Sequence, residues 1–159
     1  MSILKNFDEN VEFNIVLNKV IECGKTPYET WVSSQLSIKS NTINITLGTE
    51  IDFVLNMYEI DDFGKKMEKL YDCCKNLDNG NINFSNNEYN FELKIECLPE
   101  DEAIETELWI NTAARTNGKV FGYEEGIRFA SSFIEFEKFY HEYKNNCEYI
   151  KNKTCNYVF

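Results

Sequence analysis

The chain is predicted to fold as an α+β domain, a mainly antiparallel sheet with two amphipathic helices packed on one face. Three observations lead there. Apolar and polar residues alternate through several segments, the period of a half-buried strand. Twice the apolar period lengthens to three and four, the mark of a helix with one buried face. The resulting order is strands, helix, strands, helix. At 159 residues the chain is expected to form one domain over 1–159, large enough for a core without disulfides or metal.

The elements follow in order. Val11, Phe13, Ile15 and Leu17 alternate as a first strand, and a turn with Gly24 and Pro27 follows. WVSSQLSIKS reads as a second, less regular strand. Ile43, Ile45 and Leu47 make a third, and Ile51, Phe53, Leu55 and Met57 a fourth. Gly48-Thr49 stands between those two as a short turn or bulge. Ile60, Phe63, Met67, Leu70, Cys74 and Leu77 then mark a helix of about five turns over 60–77. Asp61 or Asp62 is expected to cap it, the LDNG run to end it with glycine, and Gly64 to fall in its first turn.

Alternation resumes at Ile82 and Phe84, and again at Tyr89, Phe91, Leu93, Ile95 and Cys97, with Asn86-Asn87 as the hairpin turn. Pro99 stops that strand. Ile104, Thr106, Leu108 and Ile110 form the next, with Trp109 on its opposite face. Asn117-Gly118 signals a turn, and a last strand includes Ile127 and Phe129. Ser132 and Glu135 fit a capping box opening a helix over 133–150. Its stripe is Phe133, Phe136, Tyr140, Tyr143, Cys147 and Ile150, the same intervals as in the first helix. Any amphipathic helix on a core produces such spacing, so it is not evidence of duplication.

Composition narrows the function. A formal charge of −11 and a pI near 4.6 oppose binding to nucleic acid or anionic membrane, since both repel acidic surfaces. The N-terminal MSILKNFDENVEF holds no signal-like apolar run, and no stretch nears the ~20 apolar residues of a membrane helix. A cytoplasmic location is expected. Cys23, Cys73, Cys74, Cys97, Cys147 and Cys155 lack metal-ligand spacing and read as reduced, largely buried thiols. The N-x-S/T triplets at Asn44, Asn83 and Asn152 arise by chance in a chain so rich in asparagine.

Candidate chemistry is sparse. His141, the single histidine, falls on the far side of its helix from the aromatic stripe, with Glu137 one turn before it. That is a solvated histidine. No nucleophile-elbow, zincin or Walker motif is present, and Gly118, Gly122 and Gly126 precede no phosphate-binding helix. Neither catalytic residue, cofactor nor metal is expected. The densest charge is PEDEAIETE, with Glu100, Asp101, Glu102, Glu105 and Glu107, which lacks the EF-hand pattern. It reads either as a solvated turn leading into a strand or as an acidic docking surface. On the second reading Trp109 shares a strand face with Glu105 and Glu107, giving a basic protein partner charges that steer and an aromatic that anchors. Trp109 buried under a loop is the alternative. Tyr123, in KVFGYEEG, which reads as a mobile loop, is a further partner-binding candidate.

From about Tyr28 to Lys144 the chain resembles the WapI-type immunity proteins of bacterial polymorphic-toxin systems. The likeness runs through YETWVSSQLSIKS, MYEIDDFGKKMEKLY, YNFELKIECL and IRFASSFIEFEKFYHEY in that order. Ala130-Ser131-Ser132 stands where the family carries an Asp-Gln pair, so no functional residue is carried across. The resemblance implies a non-enzymatic inhibitor that binds a toxin domain. Many such toxins are nucleases with basic surfaces, which an acidic protein complements. The competing reading is a small enzyme or ligand-binding domain, with a cleft between sheet and helices approached by His141, Glu124 or Glu125.

Overall fold

Alternation in the first third of the chain builds one sheet. The computed structural model describes residues 1–48, 53–116, 118, 122 and 124–153. Strands β1 (Ser2–Lys5), β2 (Val11–Glu22), β3 (Trp31–Ser40), β4 (Asn44–Leu47) and β5 (Phe53–Asn56) form a five-stranded antiparallel sheet, ordered β1-β2-β3-β4, with β5 also on β3. β4 and β5 lie along successive parts of β3: Leu36 is opposite Leu47, and Ser34 opposite Phe53. The break at Gly48 therefore interrupts one sheet position instead of turning the chain to a new partner. Thr49 and Ile51 lie outside the described residues. β1 has no signal in the sequence because Ile3 and Leu4 are adjacent apolar residues, yet Leu4 is fully buried.

A second sheet follows. β6 (Gly80–Ser85), β7 (Phe91–Leu98), β8 (Ala103–Asn111) and β9 (Glu124–Ser132) pair in chain order as an antiparallel meander. The expectation of one sheet is thus corrected to two. Period two tells which face of a strand is buried and is silent on which strands pair. The long helix α1 (Met57–Asn76) separates β5 from β6 in the chain. A short helix α2 (Thr112–Thr116) leads out of β8 next to the expected turn, of which Asn117 lies outside the described residues. The chain ends on α3 (Phe133–Lys153).

Each long helix leans on the sheet from the other half of the chain. Phe63 of α1 stacks on Phe84 of β6 with ring centroids 4.6 Å apart, while Phe139 of α3 meets Phe13 of β2 at 5.6 Å. The helices touch where Phe63 meets the edge of Tyr143 at 5.0 Å, and Phe53 bridges the sheets to Phe91 at 5.8 Å. The Phe7 N–H also donates to the Ala130 carbonyl of β9 at 3.2 Å. One apolar cluster results, shared by both sheets and both long helices. Phe139, absent from the predicted stripe, is buried because α3 packs on two sides.

The helix ends differ from expectation. Met57, read as strand, opens α1, and Asn56 caps it in place of Asp61 or Asp62. Those aspartates pair outward, Asp61 with Lys151 at 2.6 Å and Asp62 with Lys66 at 2.8 Å. Leu77, with φ of 56°, takes the left-handed position at the C-terminus, and the Asp78 N–H donates to the Cys73 carbonyl at 2.9 Å. Gly80 serves a different need: a Cβ there would lie 2.8 Å from Cys73 Sγ, so the glycine lets β6 run close under α1. At α3, the Glu135 N–H donates to Ser132 Oγ at 3.2 Å, the serine half of the expected capping box, while one oxygen of the Glu135 carboxylate is buried without a partner and the reciprocal half does not form. Tyr89 sits in the β6–β7 turn, with φ of 51°, and not in the strand.

Gly64 lies in the second turn of α1 and not in the first. A Cβ there would meet only Tyr143 Cε1, at an ordinary 3.8 Å. Gly64→Ala is therefore expected to raise stability by about 0.5–1 kcal/mol, the helix-interior preference for alanine. Urea denaturation measures this, and a loss of stability would contradict it. Cys23, Cys73, Cys74, Cys97 and Cys147 are free thiols, and Cys155 lies outside the described residues. Burial pushes the Cys74 thiol well up, and raises Cys147 to about 12, leaving both in the unreactive thiol form.

Candidate docking surface

The outer face of the second sheet carries the charge that its strand alternation turns away from the core. Register aligns three rows across β7, β8 and β9: Glu92–Trp109–Gly126, Lys94–Glu107–Arg128 and Glu96–Glu105–Ala130. Glu105, Glu107 and Trp109 thus share one face, as the period-two reading requires. At the end of the sheet, Pro99–Asp101 forms a 3-10 turn that places Glu100, Asp101 and Glu102 together beyond the Leu98–Ala103 pair.

Trp109 is held open. It keeps 39% of its surface exposed, which overturns the alternative of an indole buried under a loop. Its Nε1–H donates to Glu107 Oε1 at 2.6 Å, and Arg128 Nε donates to the other oxygen of that carboxylate at 3.0 Å. The Trp109 hydrogen bond, with Arg128 beside it, holds the Glu107 carboxyl below its usual range. A Cβ on Gly126 would lie 2.6 Å from Trp109 Cε3 and 2.3 Å from the Leu108 carbonyl oxygen. The indole therefore leans over a residue without a side chain, toward β9 and away from β7. On the β7 side this leaves a groove of about 420 Å³, walled by Trp109, Glu107, Lys94, Glu92, Ser85 and Asn83.

His141 sits elsewhere, on the exposed side of α3. Its ring packs edge-on against Tyr71 at 5.4 Å, and its Nε2 stands 3.9 Å from the Glu137 carboxylate. Glu137 is already held by the Tyr71 hydroxyl, which donates to it at 2.6 Å. A second cleft of about 200 Å³ lies between α1 and α3 over Ile60, Gly64, Tyr143 and Cys147. His141, Glu124 and Glu125 line neither cleft nor groove. Among the described residues no group of three His, Cys, Asp or Glu is placed to hold a metal ion. No helix among them is long and apolar enough to cross a membrane.

No protein-family model matches the chain, and no curated protein matches it. Its fold has a solved counterpart. The plant transcriptional regulator PBF-2 superposes with a TM-score of 0.52 at 13% identity, covering 96% of this chain and 81% of that one. The similarity is one of architecture.

Of the seven residues singled out in the sequence, Glu105, Glu107 and Trp109 share one face of β8, and Glu100, Asp101 and Glu102 lie in the turn before that strand, at the end away from Trp109. Tyr123 lies outside the described residues. Sequence reasoning missed Glu92, Lys94, Gly126 and Arg128. The strands of Glu92, Lys94 and Arg128 were predicted, whereas Gly126, read as the end of the loop KVFGYEEG, belongs to β9; only pairing register shows that all four flank Trp109. Arg128 changes the electrostatics of the patch. It engages Glu107 and approaches Glu105 at 3.9 Å, so part of the acidic charge is compensated within the protein.

Proposed function

We propose that the protein is a non-enzymatic protein-binding module, an immunity protein that binds and neutralises a basic toxin domain, such as a nuclease domain, in the cytoplasm. The observation that carries this is Trp109: a large aromatic held on an open sheet face, hydrogen-bonded to Glu107, leaning over Gly126 and bordered by carboxylates. An anchor fixed before binding loses little side-chain freedom on association. Acidic surroundings steer a basic partner toward it. The resemblance to WapI-type immunity proteins supports the same reading. The test is binding to toxin domains encoded beside the gene. Trp109→Ala is expected to weaken such a complex by about 2 kcal/mol or more, roughly thirtyfold, with folding unchanged. Unchanged affinity, or no binding and no protection against any neighbouring toxin, would overturn it.

A small ligand-binding domain is the second reading, supported by the cleft over Ile60, Gly64, Tyr143 and Cys147. A thermal-shift screen with metabolites decides between them, since a large stabilisation by one small molecule would favour the cleft.

A further inference from the structure

The groove beside Trp109 has a chemical preference of its own. Its cations are already engaged: Lys94 pairs with Glu96 at 2.9 Å, and Lys66, at the groove's end, pairs with Asp62 at 2.8 Å and donates to the Asn83 carbonyl at 3.2 Å. Glu107 is engaged by Trp109 on one oxygen and by Arg128 on the other. Glu92 differs. It is exposed, it lines the groove, and its carboxylate forms no hydrogen bond or ion pair among the described residues. Register sets it directly opposite Trp109, at the about 4.5–5.5 Å Cβ separation of cross-strand pairs. The indole that leans toward Gly126 and the residue carrying the unpaired carboxylate both line this groove.

We infer that this groove receives an arginine side chain of the partner protein, its guanidinium stacked on the Trp109 indole and paired with the Glu92 carboxylate. Planarity favours arginine: the guanidinium lies flat on an aromatic ring and offers two parallel N–H groups to one carboxylate. A lysine ammonium satisfies the charge without the stacking. The groove of about 420 Å³ admits the side chain without displacing either resident lysine from its own carboxylate. The inference rests on reading this sheet face as the docking surface and names the chemistry that the face selects.

The test uses the full chain, labelled with ¹⁵N, and three acetylated tripeptide amides: Gly-Arg-Gly, Gly-Lys-Gly and Gly-citrulline-Gly. The chain has two tryptophans, Trp31 and Trp109, whose indole N–H resonances are expected to be separate. The arginine peptide is expected to move the Trp109 signal saturably and leave Trp31 in place. The lysine peptide should bind about fivefold more weakly, and neutral citrulline should produce no saturable shift. Glu92→Gln should weaken the arginine peptide at least about threefold without altering the fold. Equal responses to arginine and citrulline, unchanged binding in E92Q, or no saturable movement at Trp109 would each overturn the inference. The two proposals fail separately. A toxin domain weakened by W109A but indifferent to E92Q keeps the docking surface and sinks the arginine site. A peptide that behaves as expected, with no toxin domain bound, does the reverse.

Discussion

Replacing Phe63 with alanine is expected to destabilise the protein by about 3–5 kcal/mol, the range for emptying a buried phenylalanine site. The position is fully buried. Its ring stacks on Phe84 at 4.6 Å and receives the Tyr143 edge at 5.0 Å, so it joins α1 to the second sheet and to α3 at once. Collapse around the vacancy is resisted on each side by an aromatic ring fixed on a different element, which places the loss high in the range. For a chain of this length the melting temperature should fall by about 6–20 °C. Because each long helix rests on the sheet from the other half of the chain, the loss should appear in one cooperative transition. A lower urea midpoint at unchanged slope would report that. Phe63→Leu keeps most of the volume and should cost no more than about 1.5 kcal/mol. A loss below about 1.5 kcal/mol for the alanine variant would show that the halves do not depend on this contact.

Much of the fold was legible because burial imposes a period. Phe13, Ile15 and Leu17, then Leu93, Ile95 and Cys97, alternate in sequence and are buried in the structure. The spacing from Ile60 to Cys74 likewise follows the buried side of α1. Pairing was not legible. Whether β6 joins β4 or founds a second sheet depends on contacts across the domain, to which local alternation contributes nothing. Helix boundaries failed for a related reason. Asp61 and Asp62 are good capping residues by type, but Asn56 holds the extended backbone conformation that a cap requires. At the candidate site, the period placed Glu105, Glu107 and Trp109 on one face. The neighbours that define its chemistry, Glu92 on one side and Gly126 with Arg128 on the other, come from adjacent strands. Gly126 drew notice in the sequence only as a failed phosphate-loop glycine. Its role depends on a tryptophan that pairs with it from seventeen residues earlier in the chain.

Glu59→Ala is expected to be nearly as damaging, at about 3 kcal/mol, by an electrostatic and hydrogen-bonding route. Glu59 is a buried carboxylate, 5% exposed, in the first turn of α1. One oxygen accepts from the Asn56 N–H at 2.8 Å, completing a capping box in which Asn56 Oδ1 accepts from the Glu59 N–H at 2.9 Å. The other oxygen accepts from the Asn87 N–H at 2.6 Å, across to the β6–β7 hairpin. A single carboxylate thus fixes the end of the first sheet, the start of the helix and the first turn of the second sheet. Alanine strands two backbone donors, one of them buried, and a bond to a charged acceptor contributes about 1.5–3 kcal/mol. The carboxylate at a helix N-terminus also loses its favourable dipole interaction, worth about 0.3–1 kcal/mol. The melting temperature should drop by about 6–12 °C. Glu59→Gln separates the contributions. Its amide oxygen can accept from one donor, but its NH₂ group opposes the other, so about half the loss should remain. Hydrogen exchange locates the damage: the Asn56 and Asn87 amides should lose protection together in E59A. If Asn87 stayed protected while Asn56 opened, the helix cap and the hairpin would be independent, and the joint role of Glu59 would fall.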